Sequence, residues 1–158
     1  MLQPNFNTQA YNKHGQNLCS SYRRWTDKHL ISKHSEPDKL IIELYEAPFA
    51  IVSHGIEDDP IFNFGNRVAL ELFELDWDHF IQLPSRYSIE TKNRKQREEL
   101  MRRVSNDGHM INYSGVRISS TGKRFKIEVA TIWNIIDEND HYHGQAAMFK
   151  NWIAINYT

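Results

Sequence analysis

Lys123-Arg124-Phe125-Lys126-Ile127-Glu128-Val129-Ala130-Thr131-Ile132-Trp133-Asn134-Ile135-Ile136-Asp137 alternates with a period of two. Phe125, Ile127, Val129, Trp133 and Ile135 fall on one face, and the other face opens with Arg124, Lys126 and Glu128. Successive side chains of a strand point to opposite sides, so this pattern reads as an antiparallel strand with one buried and one half-exposed face. Ahead of it, Thr121-Gly122 suits a tight turn and His109–Ser120 reads as the partner strand. A bulge is expected in that partner near Ser114-Gly115, where the apolar set slips from Ile111 and Tyr113 to Val116 and Ile118. Behind it, Asp137–Gly144 is a turn region and Gln145–Ile153 the last strand.

Upstream of this sheet signal the period becomes helical. Lys92–Asn106 carries Leu100, Met101 and Val104 on one side, and Asp107-Gly108 stops it. Asn66 is placed to cap a helix over Arg67–Glu74, and Asp76 another carrying Trp77, Phe80 and Ile81, broken at Leu83-Pro84-Ser85-Arg86. Before them, Phe49–Val52 and Ile61–Phe64 read as short strands. A short helix is expected at Lys39–Glu46, ended by Pro48, and a longer one at Asn17–Ile31. Residues 1–16 are rich in Asn and Gln and are expected to be a flexible tail, with N-terminal helices over 17–46 and the core domain over 47–158. Helices grouped between runs of antiparallel strands argue for an α+β layer fold. The sheet has five strands only if the first pair joins the last three; helices then cover one face of it.

Composition narrows the functional classes. A chain of 158 residues suffices for one domain with a substantial core. Nineteen basic residues against twenty acidic leave a net charge of −1, which gives no general attraction to nucleic acid or an anionic membrane. The single cysteine, Cys19, cannot form an intramolecular disulfide. With no signal-peptide pattern at the start and no long apolar run, a soluble cytoplasmic protein is expected.

Several residue groups invite a chemical reading. His141 and His143 form an H-x-H pair that could join His54 on a metal, but they sit in a polar turn without an acidic partner at a recognised spacing. Ser53-His54 looks like a nucleophile and base, yet neighbours on a strand point apart. Lys92, Arg94, Lys95, Arg97, Arg102 and Arg103 make one helix basic, without the interleaved aromatics of a nucleic-acid platform. Arg86 and Arg117 receive no role from the pattern alone.

The order of elements resembles the PAS fold, and several stretches resemble one of its subgroups, the MEKHLA domain family. They are Ala47-Pro48-Phe49-Ala50-Ile51-Val52-Ser53-His54-Gly55, Asp59-Pro60-Ile61-Phe62-Asn63-Phe64-Gly65-Asn66-Arg67 and Ala69-Leu70-Glu71-Leu72-Phe73-Glu74. Leu83-Pro84-Ser85-Arg86, Tyr113-Ser114-Gly115-Val116-Arg117-Ile118-Ser119-Ser120 and Gly144-Gln145-Ala146-Ala147 belong to the same likeness, as do Arg124-Phe125, Ile127-Glu128 and Trp133-Asn134. The resemblance implies a PAS-like sensory domain: a five-stranded antiparallel sheet with helices on one face, preceded by an N-terminal helix. It implies no catalytic residue. Plant members of the family carry the domain behind a homeodomain and leucine zipper, whose signals this sequence lacks, so DNA binding does not carry over.

The resemblance also bears on cofactors. A photoreceptor of this fold with a covalent flavin adduct needs a cysteine after Leu83, where Pro84-Ser85-Arg86-Tyr87-Ser88 has none. A haem-binding relative offers a histidine from the long helix, and Lys92–Asn106 has none. Covalent flavin and haem are therefore disfavoured, and a non-covalently held flavin remains compatible. Phe49, Ile51, Leu100, Met101, Val104, Phe125, Ile127, Val129 and Phe149 are expected to line the space between sheet and helices, with Asn63, Asn134 and Gln145 as polar anchors. The same residues describe a filled core equally well. The expected function is a non-enzymatic sensory domain binding a small apolar or aromatic ligand. The alternatives are a ligand-free interaction module and a small cavity enzyme, which a buried histidine or carboxylate of shifted pKa in the pocket would favour. Leu18, Tyr22 and Trp25 on the first helix are expected to be buried against the sheet's outer face or, as the preferred reading, in a homodimer.

Overall fold

The computed structural model describes residues 3–156. Met1 and Leu2 of the expected tail, and Tyr157 and Thr158 of the expected core, lie outside the described residues. Six strands form one antiparallel sheet: β1 (Ala50–His54), β2 (Phe62–Gly65), β3 (His109–Ile118), β4 (Arg124–Ile136), β5 (Tyr142–Phe149) and β6 (Asn151–Ile155). Their order is β2-β1-β5-β4-β3, with β6 also paired to β4. The first strand pair thus joins the last strands, as the sequence requires. The expected last strand is interrupted at Lys150. Its first part runs beside Thr131–Ile136 of β4, and its second beside Arg124–Glu128.

The alternation of β4 is broken where the sequence looked regular. Gly115 pairs with Ile127 but Tyr113 pairs with Ala130, so β4 holds one extra residue between them. Val129 adopts φ 53° within that insertion and is pushed out to 59% exposure. The bulge expected in β3 at Ser114-Gly115 is therefore carried at this point by β4, and Val129 does not face the interior. Beyond the bulge the phase is inverted: Trp133 and Ile135 turn to the opposite face from Ile127. A second irregularity, on β3 at Asn112 (φ 57°), lies between the Met110–Ile132 and Tyr113–Ala130 pairs.

Among the described residues, five α-helices surround the sheet: α1 (Gln9–Thr26), α2 (Leu40–Tyr45), α3 (Arg67–Phe73), α4 (Trp77–Phe80) and α5 (Arg94–Asp107). The flexible-tail expectation is corrected here. Helix α1 starts at Gln9, where the Thr8 hydroxyl accepts from the Tyr11 amide at 3.2 Å. Phe6 ahead of it is 3% exposed, its ring within 5.3 Å of those of Tyr45 and Trp77. One buried aromatic ring orders a segment whose composition is otherwise polar. Gly15 lets α1 approach α2, since a Cβ there would stand 2.9 Å from the Ile41 amide nitrogen.

Trp133 shows which face α1 covers. Its indole nitrogen donates to Ser21 Oγ at 3.1 Å, and its ring meets Tyr22 edge-on at 5.0 Å. Leu18 and Tyr22 are 0% and 5% exposed, so the face offered above for dimerisation is used inside one chain. Trp25 is also engaged, donating to the Asn134 carbonyl at 2.9 Å and stacking on His109. Of the two arrangements expected for these three residues, packing against the sheet's outer face is present within the chain.

At the start of α3, Asn66 ties the helices to the sheet. Its side-chain oxygen accepts from the Ala69 and Ile51 amides at 3.1 and 3.0 Å, and its nitrogen donates to the Leu44 and Phe49 carbonyls at 3.1 and 2.6 Å. The expected helix cap is thus also the joint between α2, β1 and α3. Among the described residues, no helix is long and apolar enough to cross a membrane.

Candidate functional site

Between the sheet and α5 lies a cavity of about 80 Å³. The strand register explains its position. Val52, Ala147 and Ile132 form one cross-strand row of the floor; in the next row His54 and Gln145 line it, with Asn134 paired to Gln145 beyond them. Ala147 and Ala130 are the small members of that floor, while Phe62, Phe73, Leu100 and Met101 close the walls above it. An engineered cavity of about 150 Å³ holds benzene. The space found here suits a molecule, or part of one, of only a few heavy atoms.

The sequence-derived candidates divide. Leu100, Met101, Ile127, Gln145 and Phe149 do line the cavity. Asn134 is one bond away, accepting from Gln145 Nε2 at 3.2 Å and donating to the Ser105 carbonyl at 3.2 Å. Val104 is fully buried outside the wall, and Phe125 packs edge-on against Phe73 at 5.2 Å. Ile51 alternates with Val52 and so faces α1. Asn63 is also misplaced: Ser53 pairs with Phe64 and His54 with Phe62, leaving Asn63 as the extra residue of a bulge. Its oxygen accepts from Ser53 Oγ on the α1 side. Phe49 is half-exposed beneath the Lys150 ammonium, 5.6 Å from its ring centre.

Several wall residues were missed by sequence reasoning, among them His54, Ser85, Arg97, Tyr113 and Arg117. A signal for Arg97 existed: it stands three, four and seven residues before Leu100, Met101 and Val104, on the same helical stripe. Its Nη2 donates to Ser85 Oγ. Burial, with a smaller contribution from the nearby Arg117 charge, brings its guanidinium down to about 10, still protonated at neutral pH. Arg117 donates from Nη1 to the Val116 carbonyl at 3.0 Å and from both Nη atoms to Tyr113 Oη at 3.4 Å. Arg97, Leu100, Tyr113 and Arg117 also border an outer groove of about 520 Å³ between α5 and β3. They therefore stand where the inner cavity meets the outer groove.

His54 is a buried histidine in the cavity wall, held by burial at about 4, well below its ordinary value. Its Nδ1–H donates to the Gly55 carbonyl at 3.1 Å, which leaves Nε2 as an acceptor. A general base works best near the operating pH, and so low a value makes His54 a weak one. Ser53 is directed elsewhere. Its hydroxyl donates to Asn63, so the His14 Nε2 at 3.0 Å is the donor to Ser53, the reverse of nucleophile activation. Both bonds engage the Ser53 hydroxyl on the α1 side of the sheet.

The H-x-H pair has an acidic neighbour that the spacing did not reveal. Asp137 accepts from His143 Nε2 at 2.8 Å and from the His141 and Asn139 amides at 3.0 and 2.8 Å. These bonds hold its carboxyl far below the usual range and knit the β4–β5 turn. Among the described residues, no group of three or more His, Cys, Asp or Glu is arranged to hold a metal ion. Arg86 pairs with Asp59 at 3.1 Å, a tie between two loops.

An antiparallel sheet in this order, helices roofing one face and a helix across the other, with a cavity under the roof, defines a PAS-like α+β domain. The chain belongs to the MEKHLA domain family, which matches residues 12–154. Relatives include the homeobox-leucine zipper proteins ATHB-15 of Arabidopsis thaliana, 23% identical over 136 residues, and HOX10 of Oryza sativa subsp. indica, 24% identical over 144. In both cases 85% of this chain matches 16% of the relative. The chain thus spans a small part of the curated relatives' length. A PAS domain from Colwellia psychrerythraea superposes with a TM-score of 0.60 at 16% identity, covering 72% of this chain and 92% of that one. A light-oxygen-voltage domain studied with a flavin analogue gives 0.58 at 12% identity, covering 75% and 85%. At these identities the likeness shows the fold.

Proposed function

We propose that this domain is a non-enzymatic sensory or regulatory module that binds a small, largely apolar ligand in the cavity beneath α5. The observation that carries the reading is the space between sheet and α5, walled by aromatic and aliphatic side chains with His54, Ser85, Gln145 and the two arginines at its margins. Apolar walls with few polar groups are the usual composition of a small-molecule site. A ligand that holds α5 against the sheet shifts the balance between conformations that differ there, which is how binding becomes a signal. The cavity-enzyme reading has one observation in its favour, the shifted pKa of His54. Its low value favours the binding role, as does its one hydrogen bond among the described residues, which goes to the Gly55 carbonyl and not to an acid or nucleophile.

The test is thermal unfolding with small apolar probes of graded size, from xenon and cyclopropane up to benzene, on the wild type and on Ala147→Leu. A probe at about a hundred times its Kd adds about 2.7 kcal/mol to the wild type. The variant fills the floor, so its empty form keeps or gains stability and loses the response. Ala147→Leu that is itself strongly destabilised, together with no wild-type response to any probe, would leave a filled core instead.

A further inference from the structure

We propose that the ligand is anchored by an oxyanion, a carboxylate or phosphate, held between Arg97 and Arg117 where the cavity opens into the groove between α5 and β3. This rests on the ligand-binding reading above and specifies the chemistry of the molecule. The first observation is a contrast among the arginines. Half-buried Arg67 and Arg124 each pair with a glutamate, at 2.7 Å in both cases. Arg97 and Arg117 are equally half-buried and line the cavity, yet neither meets a carboxylate at ion-pair distance among the described residues.

Their recorded bonds go to neutral oxygens of Ser85, Val116 and Tyr113. Each guanidinium has five N–H donors, so most of this capacity is left for another partner. Two partly desolvated cations near each other repel, and a bound anion is what relieves both burdens. The outer groove strengthens the same sign: among the described residues Arg103 and Lys126 also border it, against the single carboxylate of Glu99. The forked geometry of guanidinium matches carboxylate and phosphate oxygens in pairs. The inner cavity beyond them is small and mainly apolar, so the molecule that satisfies both parts is a short aryl or alkyl body bearing one oxyanion.

Isothermal titration of the full chain with benzoate, phenyl phosphate, neutral benzamide and inorganic phosphate tests this. Benzoate or phenyl phosphate is expected to bind the wild type about tenfold or more tightly than benzamide. Whichever of the two binds more tightly names the oxyanion. R97Q and R117Q should each remove most of that advantage while benzamide binding is kept, and R97K and R117K should retain part of it. Unfolding curves identify any variant that fails to fold, for which the lysine variant then supplies the comparison. Equal binding of benzoate, phenyl phosphate and benzamide, unchanged in R97Q and R117Q, overturns the anion inference and leaves the cavity reading intact. No binding of any probe overturns both. Inorganic phosphate binding as tightly as phenyl phosphate also overturns the proposal, because it separates the anion from the cavity.

Discussion

Trp133 and Asn134 are neighbours in β4, and they fasten the sheet to helices on opposite sides. The Trp133 indole donates to Ser21 of α1, while the Asn134 amide donates to the Ser105 carbonyl of α5 at 3.2 Å. Strand alternation turns two adjacent residues into the joints of two layers. The N-terminal helix is therefore part of the domain's packing, with Leu18 and Tyr22 closed over the same face as Trp133.

Ser21→Ala tests the first joint. The Ser21 hydroxyl is the recorded acceptor of the Trp133 indole N–H, and Trp133 is fully buried. Removing it strands that donor at a cost of about 1–3 kcal/mol. Urea unfolding measures the loss. Deleting residues 3–26 should be far more damaging, giving a chain without cooperative unfolding, because it uncovers Trp133 and Ile135 together. A truncated chain that unfolds cooperatively near the wild-type midpoint would contradict this.

Asn66→Ala removes a cap and a three-way joint at once. Four bonds from one side chain are lost, and the Ile51 amide and Phe49 carbonyl lose a buried partner. A loss of about 3 kcal/mol is expected, compared with about 1 kcal/mol for an ordinary cap. Asn66→Asp keeps the two acceptor bonds and should recover only part of the loss. Equal stability of the alanine variant and the wild type in denaturant would refute the joint.

Two histidines at β1, one buried and one half-buried, predict acid sensitivity. His14 and His54 are both held at about 4, mainly by burial, against 6.5 in an unfolded chain. Below about pH 6.5 the unfolded chain takes up protons that the folded chain resists until about pH 4, so stability falls as the pH drops through that window. Each histidine contributes a slope of up to about 1.4 kcal/mol per pH unit. Unfolding midpoints should therefore decline from about pH 6.5 to about pH 4.5, and His14→Gln and His54→Gln should each flatten the decline. A flat wild-type profile over that range would remove the argument.

The strands and the helices α3, α4 and α5 were legible because periodicity, Asn66, Asp76 and Gly108 announce them locally, whereas α1 starts eight residues before the expected Asn17. The faces were harder to read. A single added residue at Val129 inverts the rest of β4, and one at Asn63 inverts β2, so apolar positions that look equivalent in sequence serve opposite layers. Five of the twelve expected site residues line the cavity; Asn63 and Val129 fail because they are the added residues themselves, whereas Ile51 stands on the α1 face by ordinary alternation with Val52. Arg97 and Arg117 escaped because a charged residue on a helix face or strand reads as solvated surface; only the pairing of elements distant in sequence brings the two together. Phe6 escaped because nothing near it in sequence indicates the Tyr45, Phe64 and Trp77 rings that receive it.

Gln145 supplies the last prediction, since it joins the cavity floor to its roof. Its Nε2 lies 3.0 Å from the Met101 carbonyl, 3.1 Å from Ser105 Oγ and 3.2 Å from Asn134 Oδ1, so both amide protons are engaged with α5 and β4. At 2% exposure it has little access to replacement water. Gln145→Leu keeps most of the volume and removes the donors, at a cost of about 1–3 kcal/mol. Gln145→Glu is nearly isosteric but sets a carboxylate against the Met101 carbonyl and Asn134 Oδ1, so it should be the more damaging of the two at neutral pH. Part of its stability should return in acid as the carboxyl protonates and regains a donor. Hydrogen exchange locates the effect: amides of α5 should exchange faster in both variants, while those of α1, on the far face, change little. Uniform acceleration across the domain would mean that Gln145 supports the core as a whole and does not strap α5 to the sheet.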